Sequence, residues 1–283
     1  MNILPSPHSE KISLTERKLI KAMARAKVRK ETSCFLAEGA KTIAECLLSF
    51  PCQLLVMSEE GLCELKHVYS HEGVLPLAEA LSNIERRILL PSSYDFSSIS
   101  QLRSPRPLVA LFKLPHVQSE QLEQPQGMTL LLDGVQDPGN VGSIIRTADW
   151  FGITSLLISM EGADPFSPKV VQASMGSIAH LALKPLTQEG ITAHLHEYKK
   201  RGFPIVGTFL EGENIFLPKR PLPTLSTPSL LVLGNEGKGI SESVASYCTR
   251  RITIPSLSPT CHGESLNVAV ATAITLATIA NHT

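Results

Sequence analysis

The chain has 283 residues, more than one average domain needs, so one large or two modest domains are expected. With 43% hydrophobic and 18% charged residues it can fill a core, which excludes wholesale disorder. Its 26 Lys and Arg balance 26 Asp and Glu, so the overall charge supplies no attraction to a polyanion, and a nucleic-acid partner would need a local basic face.

The opening residues, MNILPSPHSE, contain neither an apolar signal core nor an Arg-rich amphipathic pattern. Residues 11–30 then carry eight Lys or Arg against one acid, Glu16. Ile12, Leu19, Ile20, Met23 and Ala26 recur at roughly helical spacing, which predicts a basic amphipathic helix or helix pair. Arg25, Lys27 and Arg29 are the candidate phosphate contacts. The apolar runs QLLVM (53–57) and RRILL (86–90), set among helical stretches, predict a small α/β domain over 11–112. The six cysteines show no CxxC pair and no metal-ligand spacing; they read as reduced thiols of a cytoplasmic protein with no metal site.

Residues 113–128, KLPHVQSEQLEQPQGM, are polar and without periodicity, and read as a linker. Beyond it, over 129–283, the texture changes. TLLLDG (129–134), TSLLIS (154–159), PIVGTF (204–209), SLLVLG (229–234) and RITIP (251–255) are short continuous apolar runs. Helical stretches at about 141–152, 168–178, 189–201, 240–248 and 265–280 alternate with them. This pattern predicts an α/β fold built on a parallel sheet with helices on both faces, whose ligands bind in loops at the strand C-terminal ends. VAVATAITLATIA (268–280) is too short to span a bilayer and suits a helix buried on all sides, against its own domain and a second subunit.

Three polar loops leave these strands. In DGVQDPGNVGSIIRTADWFG, Asn140 occupies a position suited to a helix N-cap, and Arg146 follows two turns later on the face of Ser143. In LLVLGNEGKGISE, Gly234, Gly237 and Gly239 permit close backbone approach to a flat ligand. The order differs from the dinucleotide fingerprint and lacks a P-loop ending, which disfavours a nicotinamide enzyme. Glu236 sits amid the glycines, placed to accept hydrogen bonds from Arg146 or a ligand. In IPSLSPTCHGESLNVAVATAI, Ser265 is the expected cap of the last helix, with Asn267 in its first turn.

Together these loops resemble, in order, the three signature motifs of the SpoU-type (TrmH-like) RNA ribose 2′-O-methyltransferases of the SPOUT class. AKVRKETSCFLAEGAKTIAECL (26–47) is similar to the RNA substrate-binding domain attached to many of them. The resemblance implies a C-terminal deep trefoil knot, a homodimer, S-adenosyl-L-methionine as methyl donor, and RNA, most readily ribosomal RNA, as substrate, with no membrane. It assigns catalytic positions to Asn140, Arg146, Glu236, Ser265 and Asn267. Gly234, Ile254 and Leu266 fall where the backbone lines the donor pocket, and Thr208 at a strand end that closes it. The loop between Pro255 and Ser265 is longer than usual and holds Pro259, Cys261 and His262; a lone loop histidine is an unpersuasive base. Ala269 replaces a second serine. A tRNA ribose methyltransferase and a non-catalytic knotted RNA-binding factor are the alternative readings.

Because a guanidinium has no lone pair and a pKa above ~12, Arg146 is expected to work by electrostatics, oriented by Asn140 and Glu236.

Overall fold

The computed structural model describes residues 8, 9, 11–71, 77–115, 125–258 and 265–281. It divides into two compact units, one within residues 1–116 that takes in 166–180, the other within 117–165 and 181–283.

The first unit opens with a short strand β1 (His8–Ser9) and two helices, α1 (Leu14–Ala22) and α2 (Ala26–Thr32). Then follow β2 (Cys34–Glu38), α3 (Ala40–Ser49), β3 (Cys52–Ser58), α4 (Glu59–His71), α5 (Leu77–Ser82), β4 (Arg86–Leu90) and β5 (Leu108–Lys113). The strands form one mixed sheet in the order β1-β4-β3-β5-β2. Alternation gives β2 two buried faces. Cys34 and Leu36 join the cluster of Ile20, Met23, Val56 and Ile88, while Phe35 stacks among Phe50, Phe112 and Phe166.

Helix α1 is fastened at both ends. Ser13 and Glu16 form a reciprocal capping box at its start, and Glu16 also pairs with Arg86. At its end, Gln101 Nε2 donates to the carbonyl of Lys21 at 3.0 Å, and Arg29 Nη1 donates to that of Met23 at 2.6 Å. Terminal carbonyls need such donors. Arg29 is therefore a buried structural residue, 3% exposed, and cannot serve as the phosphate contact its sequence position suggested. Lys27 faces Glu31 at 3.7 Å, and Arg25 stays exposed at the head of α2.

The second unit begins with β6 (Met128–Asp133), α6 (Pro138–Trp150) and β7 (Ser155–Ser159). The next helix, α7 (Pro168–Ser174), packs on β2 in the first unit, and Gly176 lies against Glu45 of α3. The sequence pattern places residues 166–180 in the second domain, but their apolar side chains complete the core of the first. The chain then gives β8 (Ala182–Leu186), α8 (Gln188–Lys200), β9 (Ile205–Asn214), β10 (Ser229–Gly234), α9 (Glu242–Ala245), β11 (Arg250–Thr253) and α10 (Val268–Asn281). The linker expected at 113–128 is shorter at both edges, since Lys113 ends β5 and Met128 opens β6.

All five strand pairings of the second sheet are parallel, in the order β11-β9-β10-β6-β7-β8, as continuous apolar runs predict. Leu131, Leu157, Leu230 and Val232 pack against Ile191, Leu195 and Tyr198 of α8. Helices α6 and α10 pack together, and α10 also meets β10. Strand β8 escaped the sequence reading: it is an edge strand, half-exposed, with Lys184 and Pro185 breaking its apolar run. Among the described residues, no helix is long and apolar enough to cross a membrane.

Replacing Arg29 by Ala orphans the α1 terminal carbonyl and empties a buried site. The expected cost is about 2 kcal/mol, read as a lower urea midpoint and faster amide exchange in α1. Unchanged stability would contradict the structural role.

Candidate active site

The site is built where two neighbouring strands end. Six consecutive pairs bring β10 alongside β6, finishing with Gly234 opposite Asp133. On a parallel sheet both loops must then emerge at the same edge. The buried Asp133 carboxylate accepts from the Ser241 N–H at 2.7 Å, and Asn235 Nδ2 donates to the Gly134 carbonyl at 2.8 Å. Asn235 Oδ1 also accepts from the N–H groups of Gly237 and Lys238, and its backbone pairs with Gly239 in both directions. This doubling back brings the Gly239 carbonyl carbon to 2.4 Å from where a Gly234 Cβ would stand, so only glycine fits there.

Helix α6 is capped by Asp137, whose Oδ1 accepts from the Asn140 N–H at 2.9 Å. The cap expected at Asn140 thus lies three residues earlier, with Pro138 at the first helical position. Asn140 is left free for a different task. Its Nδ2 donates to Glu236 Oε1 at 3.0 Å, and its Oδ1 accepts from Asn267 Nδ2 at 2.8 Å. Asn267 in turn caps α10: its Oδ1 accepts from the N–H groups of Ala269 at 2.9 Å and Val270 at 3.2 Å. The α10 cap is therefore Asn267, and Ser265 lies exposed two residues before it. One chain of side-chain hydrogen bonds joins all three loops.

Glu236 also accepts from the N–H groups of Gln136 and Asp137, both at 3.2 Å. Burial alone would push its carboxyl up. The donors, led by the Asn140 amide and joined by its own N–H and those of Gln136 and Asp137, outweigh burial and hold it below the usual carboxylate range.

Arg146 is exposed on α6 and makes no ion pair or hydrogen bond among the described residues. Asn140 and Glu236 are committed to each other, so they do not orient Arg146 as the sequence suggested. The Arg146 backbone stands on the same helix about 9 Å further along the axis, by the rise of six residues.

Thr208 lies within β9, one residue past its last partner on β10, and donates to the Val232 carbonyl at 3.2 Å. It is not at a strand end, because β9 continues and rejoins β11 at Glu213 and Asn214. Ile254 follows β11 and Leu266 precedes the α10 cap, and neither backbone makes a hydrogen bond among the described residues. Gly234, Ile254 and Leu266 thus offer backbone N–H and C=O groups, with no side chain at Gly234, a lining that fits a nucleoside-bearing cofactor. Pro259, Cys261 and His262 lie outside the described residues.

The sequence reading missed Asn235, Asp133 and Asp137. The signal for Asn235 was present: an Asn two residues before a glycine is an Asx-turn former.

Residues 127–277 match the family model described as the SpoU rRNA Methylase family. The chain is 29% identical over 248 residues to a Bacillus subtilis protein, 23S rRNA (guanosine(2553)-2′-O)-methyltransferase RlmP, covering 88% of this chain and 89% of that one. It is 32% identical over 165 residues to human mitochondrial rRNA methyltransferase 1, covering 56% and 46%. A Porphyromonas gingivalis structure described as a putative RNA methyltransferase of the TrmH family superposes with a TM-score of 0.82 at 40% identity, over 96% of this chain and all of that one. An AdoMet-bound rRNA methyltransferase from Sinorhizobium meliloti superposes at 0.74 with 28% identity, over 97% and 98%. With the three loops joined at one sheet edge and the family model spanning more than half its length, this chain belongs to the SpoU rRNA Methylase family.

Proposed function

We propose that this protein transfers a methyl group from S-adenosylmethionine to a ribose 2′-hydroxyl of RNA, with ribosomal RNA as the substrate class. The observation that carries the reading is the hydrogen-bonded chain Glu236–Asn140–Asn267, with an unpaired Arg146 on the same helix. The names of the B. subtilis and human relatives support the substrate, and the AdoMet-bound S. meliloti structure supports the donor.

The donor supplies an electrophilic methyl on sulfur. The protein's work is to hold the hydroxyl in line with it, which can remove ~7–11 kcal/mol of barrier. Arg146 can donate but never accept a proton, so its role is to grip a phosphate beside the target ribose and stabilise negative charge developing on the 2′-oxygen. Gly234, Ile254 and Leu266 would hold the donor through backbone groups, with Thr208 beside them. Ser265 is placed ahead of the α10 cap to meet the substrate.

The proposal includes threading of the C-terminal segment as a deep trefoil knot, a cytoplasmic homodimer, and RNA binding by the unit spanning 11–112. The dimer is supported by apolar side chains left open on the paired helices α6 and α10, Trp150 at 86% exposure and Val270 at 49%.

Incubation with labelled S-adenosylmethionine and ribosomal RNA, followed by mapping of alkali-resistant linkages, should reveal a ribose 2′-O-methyl group. Label on a base, or none, would overturn the reading. Arg146→Lys keeps the charge and loses the planar fork, so its turnover should fall at least about tenfold, close to that of Arg146→Ala. Near-normal turnover in the Lys variant would show that a point charge suffices.

Asn267→Asp retains an acceptor for the α10 cap but sets a carboxylate against Asn140 Oδ1. Thermal stability should stay within about 1 kcal/mol while methyl transfer falls about tenfold, a split that simple unfolding cannot produce. Glu236→Gln places an N–H₂ group against backbone donors. Since the Glu236 carboxyl is held low, its contribution is present above the ordinary carboxylate range and lost as pH falls through the depressed value. The variant should melt about 2–4 °C below the parent at neutral pH, with the gap closing in acid.

A further inference from the structure

A second cationic feature lies in the first unit. Arg17, Lys18 and Lys21 on α1, with Arg25 in the turn that follows, line an open groove of about 520 Å³ whose remaining walls are Leu14, Ala22 and Ser98. The spacing places Arg17 and Lys21 one helical turn apart on one face, and Arg25 one further turn along the chain. From Arg17 to Lys21 the helix advances about 6 Å, a stride suited to successive groups along an extended polyanion.

Several other cations of this neutral protein are occupied. Arg29 and Arg250 serve backbone carbonyls, Arg86 meets Glu16, Lys113 meets Glu85, and Arg201 meets Glu197. Arg17, Lys18 and Arg25 make no side-chain hydrogen bond or ion pair among the described residues, whereas Lys21 interacts with Asp95. The groove is also held rigid. Besides the capping box and Arg29, Gln101 bonds to the terminal α1 carbonyls while its own N–H donates to the buried Glu38 at 2.7 Å. Ser100 Oγ donates to the second Glu38 oxygen at 2.5 Å, so a buried carboxylate pins the segment that holds the end of α1.

No aromatic side chain lines the groove, so it offers no platform on which an unpaired base could stack. Its donors are flexible ammonium and guanidinium groups on aliphatic stems, the chemistry that contacts phosphate. We propose that this groove holds the sugar-phosphate backbone of the RNA substrate without reading its bases, so that it supplies salt-dependent affinity while sequence choice is made elsewhere. The inference rests on the RNA reading above.

The test measures anisotropy of labelled oligouridylate and oligoadenylate of equal length bound to the full chain, from about 50 to about 200 mM salt. The variant Arg17→Gln/Lys18→Gln/Arg25→Gln should bind both at least tenfold more weakly at the low-salt end. Its log–log salt slope should be shallower by about 2, from three contacts at about 0.7 each on a single strand. The ratio of the two affinities should not move, nor should S-adenosylmethionine affinity by calorimetry. Lys27→Gln, outside the groove and opposite Glu31, should leave the slope unchanged. Should the triple variant melt early, Lys18→Glu alone replaces it, with the same direction of change.

An unaltered slope, a shifted oligouridylate-to-oligoadenylate ratio, or an equal effect from Lys27→Gln would overturn the proposal. Slope loss in a protein that methylates no RNA would remove the catalytic reading and keep the groove; active methylation with an unmoved slope would remove the groove alone.

Discussion

The site depends on a hydrogen-bond polarity that permits one arrangement. An ionised carboxylate can only accept and a backbone N–H can only donate. Glu236 stands at one end of the chain and the first-turn N–H groups of α10 at the other. Asn267 must turn its oxygen to the helix, so its amide nitrogen faces Asn140. Asn140 must then offer its oxygen to Asn267, which leaves its nitrogen for Glu236. Neither amide can flip without setting donor against donor or acceptor against acceptor. No single pair here contributes more than about 1–3 kcal/mol, but the coupling makes loss at one position felt at all three.

This coupling requires that segments 101 positions apart emerge side by side, and the sheet provides that. The register of β6 and β10 runs without a break to Asp133 and Gly234, so the loops leave from adjacent residues. Asp133 ties the first strand end to Ser241 beyond the second loop, and Asn235 ties that loop back to Gly134. Gly234 is required because Gly239 and Ile240 return against it. Rigid strands thus set the origins of the loops, and short polar bonds set their course, a division that keeps the functional groups on the least deformable part of the unit.

The elements with strong periodicity were legible from the residues: five of the six strands of the parallel sheet, and the helices between them, follow from continuous apolar runs. Strand β8 was hidden because an edge strand needs only half its side chains buried and tolerates Pro185. The meeting of Asn140, Glu236 and Asn267 came from the resemblance of their loops, while the roles assigned by local propensity were shifted. Asp137, Asn140, Ser265 and Asn267 are all competent caps, and only the tertiary partners decide which residue caps and which reaches across. Arg29 illustrates the same limit. A basic run predicts charge on a surface, yet one member is drawn inward to donate to the carbonyl at the end of a helix. Residues 166–180 carry no mark of the unit they complete, since an apolar helix face does not encode which core it will fill.

Arginine at two positions shows how a chain with no net charge can still present a polyanion with an attractive surface. At Arg29 the guanidinium is consumed by the backbone, and at Arg250 by Glu213 and the carbonyls of Arg220 and Pro221. These groups balance acids in the formal count but project little field into solvent. Arg146 and the set Arg17, Lys18 and Arg25 are without such partners among the described residues. Net charge counts every group equally, whereas a phosphate responds to those not already neutralised at contact distance, because screening removes the rest within about 8–10 Å. The relevant quantity for RNA is therefore the placement of unspent cations. In this molecule Arg146 stands on the helix that carries Asn140, and Arg17, Lys18 and Arg25 lie along and just beyond the first helix of the other unit.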